Sequence, residues 1–354
     1  MSLQRVEEIA DAVLYEGYML YPYRPSSVKN QRRWNFGVLC PPSYCALQTG
    51  SETSFMQTEC LLRPNASTRL TVKVRFLQIV ERSVGILKEA GSGGQEFDDN
   101  GIEFVDRLEV DGRVYRPWQE AVERELVYES LDPSSLFSAS SMEFSFFEGN
   151  SLEGLQDIQQ RQRGVIIREW QTLTGTVRIQ TKICRDDIVR LTVRVENRSH
   201  FDPADADDFS GREAALSSSL VSAHAILGVE NGEFLSLLDP PAGLEDLAAE
   251  CENKGAWPVL AGGDATAMLA SPIILYDDPA IAPESAGNLF DGTEIDEILS
   301  LRILTLTEQE KREMRDSDDR ARELLERTES MPDEQFLKLH GVLRGLTLLK
   351  ENQN

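Results

Sequence analysis

Apolar positions along the chain follow two periods, and the period changes near residue 200. Val6, Ile9, Ala10, Val13 and Leu14 recur at three- and four-residue spacing, which predicts an amphipathic helix over 2–15, capped by Ser2 and stopped by Gly17. Tyr18–Tyr23 is expected to be extended, because Pro22 disfavours helix at Tyr21. A polar loop over Arg24–Gln31 then leads to a strand over Trp34–Cys40. Phe55–Arg63 and Arg69–Arg82 are β-branched and alternating, and Pro64-Asn65 between them is a turn signal. In the second run Leu70, Val72, Val74 and Phe76 share one side, with Thr71, Lys73 and Arg75 on the other. Asp111-Gly112 marks a hairpin between Ile102–Val110 and Arg113–Arg116, after a glycine-rich loop over Gly91–Gly101. Trp118–Tyr128 fits either period, and Ser134–Ser141 reads as a polar loop. Val165–Leu173, Thr176–Cys184 and Ile188–Asn197 alternate at the spacing of a meander, so Trp34–Asn197 is expected to form an antiparallel sandwich or barrel.

Beyond the acidic linker His200–Gly211 the spacing turns helical. Leu216, Leu220, Ala223, His224 and Leu227 predict one face of a helix ending by Gly228. A short strand over Glu233–Leu238 follows, then a helix carrying Leu244, Leu247, Ala248 and Cys251, and strands over Trp257–Ala261 and Ala267–Tyr276, with Pro272 marking an edge or bulge. A strand over Leu299–Leu306 runs into Thr307-Glu308-Gln309-Glu310, a capping box for a helix to about Arg315. Two further helices are expected, over Arg320–Thr328 and from Pro332 onward. The fold class so predicted is α+β: a sandwich- or barrel-like part, a mixed α/β part and C-terminal helices. The corresponding divisions are 1–198, 199–306 and 307–354.

Composition changes this picture in one respect. The 354 residues carry a formal charge of -24, unevenly spread: Gly17–Val80 has a net charge of +6 and His200–Ser300 a net charge of -18. Such a chain is suited to binding itself, a protein partner or an anion at its basic end, and a homo-oligomer fits the same pattern. A sequence pI near 4.6 argues against bulk nucleic-acid binding. No basic-then-apolar leader opens the chain and no apolar run is long enough to span a bilayer. Five cysteines are few and odd in number, which disfavours a disulfide framework and points to a reduced, cytoplasmic setting.

The stretch Tyr15–Cys45 is out of character with the rest. It holds five of the eight tyrosines, Trp34, four basic residues and one acid, Glu16. Tyr21, Tyr23, Arg24, Arg32, Arg33 and Trp34 are of the types that dominate protein–protein hot spots. A second unusual stretch, Asp277–Glu297, crowds carboxylates among prolines and apolar residues, and Leu289, Phe290, Asp291 and Glu294 are its candidate partner-binding residues. Its carboxylates would alternatively hold a divalent cation or act as acid and base, with Cys40, Cys45 and His224 as further candidate ligands. No P-loop, GxGxxG, GxSxG or HExxH pattern occurs. Cys40, Cys45 and Cys60 lack thiolate-site spacing, and His224, on an apolar face with no second histidine nearby, reads as a hydrogen-bonded core residue. The expectation is therefore no catalytic residue, no metal and no cofactor.

Val13–Leu39 and Ser271–Lys311 resemble an uncharacterised bacterial protein family associated with gene clusters of actinobacterial-type, high-affinity NiFe-hydrogenases, and the resemblance extends through Leu220–Pro241. It implies a context, hydrogenase assembly or association, and assigns no catalytic residue. Together these readings favour a non-enzymatic accessory or assembly protein that binds a hydrogenase subunit or maturation factor. The alternatives are a metal-binding maturation factor or enzyme using residues 277–297, and a purely intramolecular seam between the basic and acidic stretches.

Overall fold

The computed structural model describes residues 2–15, 36–48, 50, 52–87, 101–138, 140–185, 187–202, 211–279, 303, 306–317 and 319–330. In chain order the elements begin with α1 (Ser2–Tyr15), α2 (Pro42–Leu47), β1 (Phe55–Leu87), β2 (Ile102–Phe104), β3 (Leu108–Val110), β4 (Arg113–Tyr115) and β5 (Trp118–Leu131). They continue with β6 (Ser140–Phe146), β7 (Gly149–Gln156), β8 (Gln162–Trp170), β9 (Leu173–Arg185), β10 (Ile188–Asn197), α3 (Gly211–Leu216) and β11 (Val221–Leu235). The last are α4 (Glu245–Ala249), β12 (Trp257–Leu260), β13 (Ala267–Ser271), α5 (Glu308–Ser317) and α6 (Asp319–Glu329).

β1 organises the rest. Along one of its edges it pairs first with β10, then β5, then β2; along the other it pairs with β11 and then β8, always antiparallel. The result is one sheet of 11 strands, with β3 and β4 as a separate hairpin. Strands from both sides of residue 199 share it.

The turn expected at Pro64-Asn65 is absent, because β11 offers pairing on both sides of it. Pro64 lies opposite Gly232 and Arg69 opposite Glu230, so Asn65–Thr68 bulges out against Asn231 alone. Side chains satisfy the displaced backbone: Asn65 N donates to Thr68 Oγ1 at 2.7 Å, and Ser67 N to Asn65 Oδ1 at 2.8 Å. Thr68 Oγ1 in turn donates to Asn231 O at 2.5 Å, so a proline that cannot join a ladder is accommodated without ending the strand.

The inward face of β1 alternates as its sequence requires. Met56, Cys60 and Leu62, and beyond the bulge Leu70, Val72, Val74 and Phe76, join Leu191, Val193 and Val195 of β10, Val177 and Ile179 of β9, Phe144 of β6 and Ala225 and Leu227 of β11 in one core. Strands this far apart in the sheet order meet, so the sheet curls around its own apolar face. The outward face is partly covered. α1 lays Val6, Ile9 and Ala10 on Ile226, Ala267 and Leu269. Met314 of α5 and Leu325 of α6 join Leu14, Leu77, Ile79 and Val221 in a second cluster.

The α+β expectation is overturned: the protein is mostly β, and the helices dress one antiparallel sheet. The decisive misreading is the helix expected over Leu216–Leu227. Only Gly211–Leu216 is helical, and the run from Val221 onward is strand β11, with Val221–Val229 buried throughout. A continuous apolar run satisfies helical spacing by default, and burial on both faces of the sheet is what produces such a run. Trp118–Leu131 resolves as strand. Within the expected loop Ser134–Ser141 a 3-10 turn, Pro133–Leu136, precedes β6. β13 ends at Ser271, immediately before Pro272. Of the strand expected over Trp34–Cys40, the described part makes only bridges from Leu39 to Leu220 and Thr53. Two expectations match closely: α1 over Ser2–Tyr15 and the Asp111-Gly112 hairpin turn with φ of 49° and 81°. Of the expected meander only the β9–β10 hairpin forms, because β8 pairs with β7 and β1 instead of β9. The capping box is formed as well, with Thr307 N donating to Glu310 Oε2 at 2.7 Å and Glu310 N to Thr307 Oγ1 at 3.3 Å.

Candidate interaction surface

The end of the aromatic and basic stretch meets the segment that precedes the acidic one. The end of the aromatic and basic stretch, Phe36–Leu39, runs beside Leu220–Ala223: Ser222 N donates to Phe36 O at 3.1 Å and Ala223 N to Gly37 O at 2.9 Å. Gly37 has φ +56°, and a Cβ there would stand 2.7 Å from Cβ and Cγ of Pro272. Glycine is thus required both by the left-handed backbone and by the close approach of Pro272, which opens the segment leading into Asp277–Glu297.

That segment is firmly held and faces two ways. Ile273 and Leu275 pack against the cluster beneath α1. Ile274 and Tyr276 point the other way and are 77% and 87% exposed. Asp277 and Asp278 fix the backbone: Asp277 Oδ1 accepts from Leu260 N at 2.8 Å, its other oxygen accepts from Ser236 Oγ, Asp278 N donates to Leu260 O at 2.7 Å, and Asp278 Oδ1 accepts from Gly263 N at 2.8 Å. The first two carboxylates of the acidic stretch are therefore spent on local structure. Phe36, 41% exposed, is also at this junction. Ile274 and Tyr276 thus present exposed apolar area on an anchored backbone.

The residues proposed from sequence as partner-binding, Tyr21, Tyr23, Arg24, Arg32, Arg33, Trp34, Leu289, Phe290, Asp291 and Glu294, lie outside the described residues. Tyr44, in the same sequence neighbourhood, is buried and packs edge-on to Phe201 with ring centroids 5.7 Å apart. Arg63, Lys73 and Arg75 of β1 pair within the chain. Arg63 meets Asp187 at 3.2 Å and also Glu233; Lys73 meets Glu7 at 2.5 Å; Arg75 meets Asp11 at 2.7 Å and Glu123 at 3.4 Å. The Lys73–Glu7 and Arg75–Asp11 contacts fasten α1 to the sheet, so this portion of the basic excess is internal glue.

The remaining candidate ligands are core groups. Burial, with Glu52 nearby, pushes the Cys40 thiol up to about 12, and burial drives Cys60 well above its ordinary value, so neither is a thiolate at neutral pH. Among the described residues no group of three or more His, Cys, Asp or Glu side chains is arranged to hold a metal ion. His224 lies on β11, fully buried, with Nδ1 2.9 Å from Ser222 O. That carbonyl fixes the proton on Nδ1 and leaves Nε2 as a lone pair with no hydrogen-bond partner. Burial, opposed by the Ser222 contact and reinforced by the charge of Arg75, lowers its pKa to about 4.

One concave feature was not legible in sequence. A cleft of about 340 Å³ is lined by Arg82, Arg107, Arg116, Trp118 and Arg312, with Glu109, Gly112, Val114, Gln309 and Asp316. Its residues come from β1, the β3–β4 hairpin, β5 and α5, too scattered along the chain for any motif to announce them.

The fold and surface define a mostly β protein built on one curled antiparallel sheet with an anchored apolar projection. No family model matches the chain, and no curated protein matches it. Among solved structures it shares 12% identity with the secretin InvG (residues 176-end, open gate state) of the Salmonella SPI-1 type III secretion injectisome. That likeness covers 46% of this chain and 45% of that one at a TM-score of 0.16, and it carries no argument about fold or function. No helix among the described residues is long and apolar enough to cross a membrane.

Proposed function

We infer that the protein is a non-enzymatic accessory or assembly factor that works by docking a protein partner, and that the partner is a NiFe-hydrogenase subunit or maturation factor. The observation that carries the docking reading is the junction at Gly37 and Pro272, where Ile274 and Tyr276 project from a backbone clamped by Asp277 and Asp278. Tyrosine is enriched among hot spots, and the two stretches that flank the junction in sequence carry the other aromatic and arginine candidates. The hydrogenase assignment is supported by the resemblance of Val13–Leu39 and Ser271–Lys311 to the family described above. Complementary charge would steer the encounter, and a homo-oligomer would use the same exposed pair.

Co-purification of the full chain from its native cytoplasm, with partners identified by mass spectrometry, tests this reading. Hydrogenase subunits or maturation factors should be recovered with the wild-type chain and depleted with Ile274→Asp plus Tyr276→Ala. Equal recovery with the variant would remove the junction from the account. Recovery of neither class would remove the hydrogenase partner.

A further inference from the structure

The arginine-lined cleft is a separate place, and none of the junction residues lines it. Its construction begins with Arg82. This side chain is 7% exposed, donates from Nε and Nη2 to Arg116 O at 3.1 and 3.0 Å, and pairs through Nη1 with Glu120 at 2.8 Å. Glu120 also takes Arg168 Nε at 2.6 Å, so the charge of Arg82 is answered from beneath the cleft. The β3–β4 hairpin forms one wall and α5 the other, joined where Val114 N donates to Asp316 at 3.3 Å. Arg107 pairs with Glu109 at 2.9 Å, both exposed, which is a weak and screened contact.

Two guanidinium groups are left over. Arg312 donates from Nε to its own helix, at Glu308 O, 3.2 Å away, and has no carboxylate partner among the described residues; nor does Arg116. Four arginines line the cleft, against the lining carboxylates Glu109 and Asp316 and the Glu120 that pairs with Arg82, so the cleft keeps a positive excess in a chain of net charge -24. Arginine presents a planar fork of donors that matches phosphate and carboxylate oxygens. Trp118 and Val114 line the same cleft and supply apolar wall. Its volume lies at the small end of the range for organic ligands.

We propose that this cleft binds a small organic anion, its phosphate or carboxylate group held by Arg116 and Arg312 and its apolar body laid against Trp118 and Val114. The site is independent of the protein-docking junction. Calorimetric titration of the full chain with phenyl phosphate, benzoate and inorganic phosphate at low ionic strength tests it. Saturable binding of phenyl phosphate or benzoate is expected, with the tighter of the two fixing the oxyanion class. Arg116→Gln plus Arg312→Gln should weaken that binding at least tenfold, while Arg198→Gln, an exposed arginine outside the cleft, leaves it within about threefold. Should the double variant fail to fold, Arg312→Gln alone, on the exposed face of α5, should still weaken binding several-fold. Unchanged affinity in the arginine variants, or binding of inorganic phosphate as tight as that of phenyl phosphate, would overturn the proposal. So would the absence of saturable binding by all three probes.

Discussion

β10 and β11 flank the first part of β1 on opposite edges, yet their sequences differ in kind. β10 alternates: Leu191, Val193 and Val195 are buried while Arg190, Thr192, Arg194 and Glu196 are half-exposed. Val221–Val229 of β11 is buried at every position. The difference is what lies behind each strand. Behind β11 stands α1, whose Val6, Ile9 and Ala10 cover Ile226. The outward side chains of β10 instead form a polar layer, as in Thr192 with Glu59, Arg190 with Glu250 at 2.8 Å and Arg194 with Glu196 at 2.6 Å. One sheet thus contains a strand with one apolar face and a strand with two.

The comparison breaks first if the outward face of β11 is not core. Ile226→Ala, beneath α1, and Leu227→Ala, on the inward face, should each cost about 2–5 kcal/mol in denaturant unfolding, because both leave cavities in packed surroundings. Arg194→Ala on β10, which removes one ion pair and the stacking over Phe55, should cost about 1–2 kcal/mol. If Ile226→Ala proves as mild as Arg194→Ala, the two strands are equivalent and the account of β11 fails.

His224 sharpens the comparison through pH. It lies on the same strand, and its charged form has no solvent to enter. With a folded pKa of about 4 against an ordinary 6.5, it is neutral in both states above pH 6.5 and has no effect there. As pH falls from 6.5 towards 4 the unfolded chain takes up a proton that the folded chain refuses. Stability should therefore decline across that window by up to about 3 kcal/mol. His224→Gln keeps a polar side chain that does not titrate, and should flatten the slope. Urea titrations at pH 7, 5.5 and 4.5 read this directly, and equal slopes for the two proteins would contradict it.

A smaller effect concerns how α1 is held. Its apolar face supplies the adhesion, while Lys73–Glu7 and Arg75–Asp11 set its place on the sheet. Lys73→Ala should cost about 1 kcal/mol, a typical value for a partly exposed pair, and it should raise amide exchange in α1 before it does so in β10. Equal protection of α1 in wild type and variant would show that the ion pair holds nothing.

The same contrast explains what could be read from sequence. The β9–β10 hairpin is legible because polar and apolar positions alternate along both strands; β8, buried throughout Gly164–Ile167, pairs with β7 and β1 instead of completing a meander. β11 is not legible, because Leu220–Val229 shows no polar alternation, and its glycine and histidine resemble a helix end and a helix face. Pro64-Asn65 misled for a related reason: a turn and a bulge use the same residues, and only the presence of β11 alongside decides between them. At the interaction surface, the opposite charge of the two unusual stretches poses the question whether they pack together. The contact observed, Gly37 against Pro272, is steric and lies outside any charge pattern. Ile274 and Tyr276 lie in a run expected to be strand, and their exposure follows from Pro272 ending β13.

The central claim, that the anchored pair Ile274 and Tyr276 docks a protein partner, is met most directly by an affinity measurement. Full-length wild type and Ile274→Ala plus Tyr276→Ala should be titrated against purified NiFe-hydrogenase subunits, with thermal unfolding recorded for both. The account predicts at least a tenfold loss of affinity, which is the usual size for removing an exposed aromatic anchor, at an unchanged melting temperature. Equal affinity for the two proteins, or a loss that only tracks a fall in melting temperature, would contradict it.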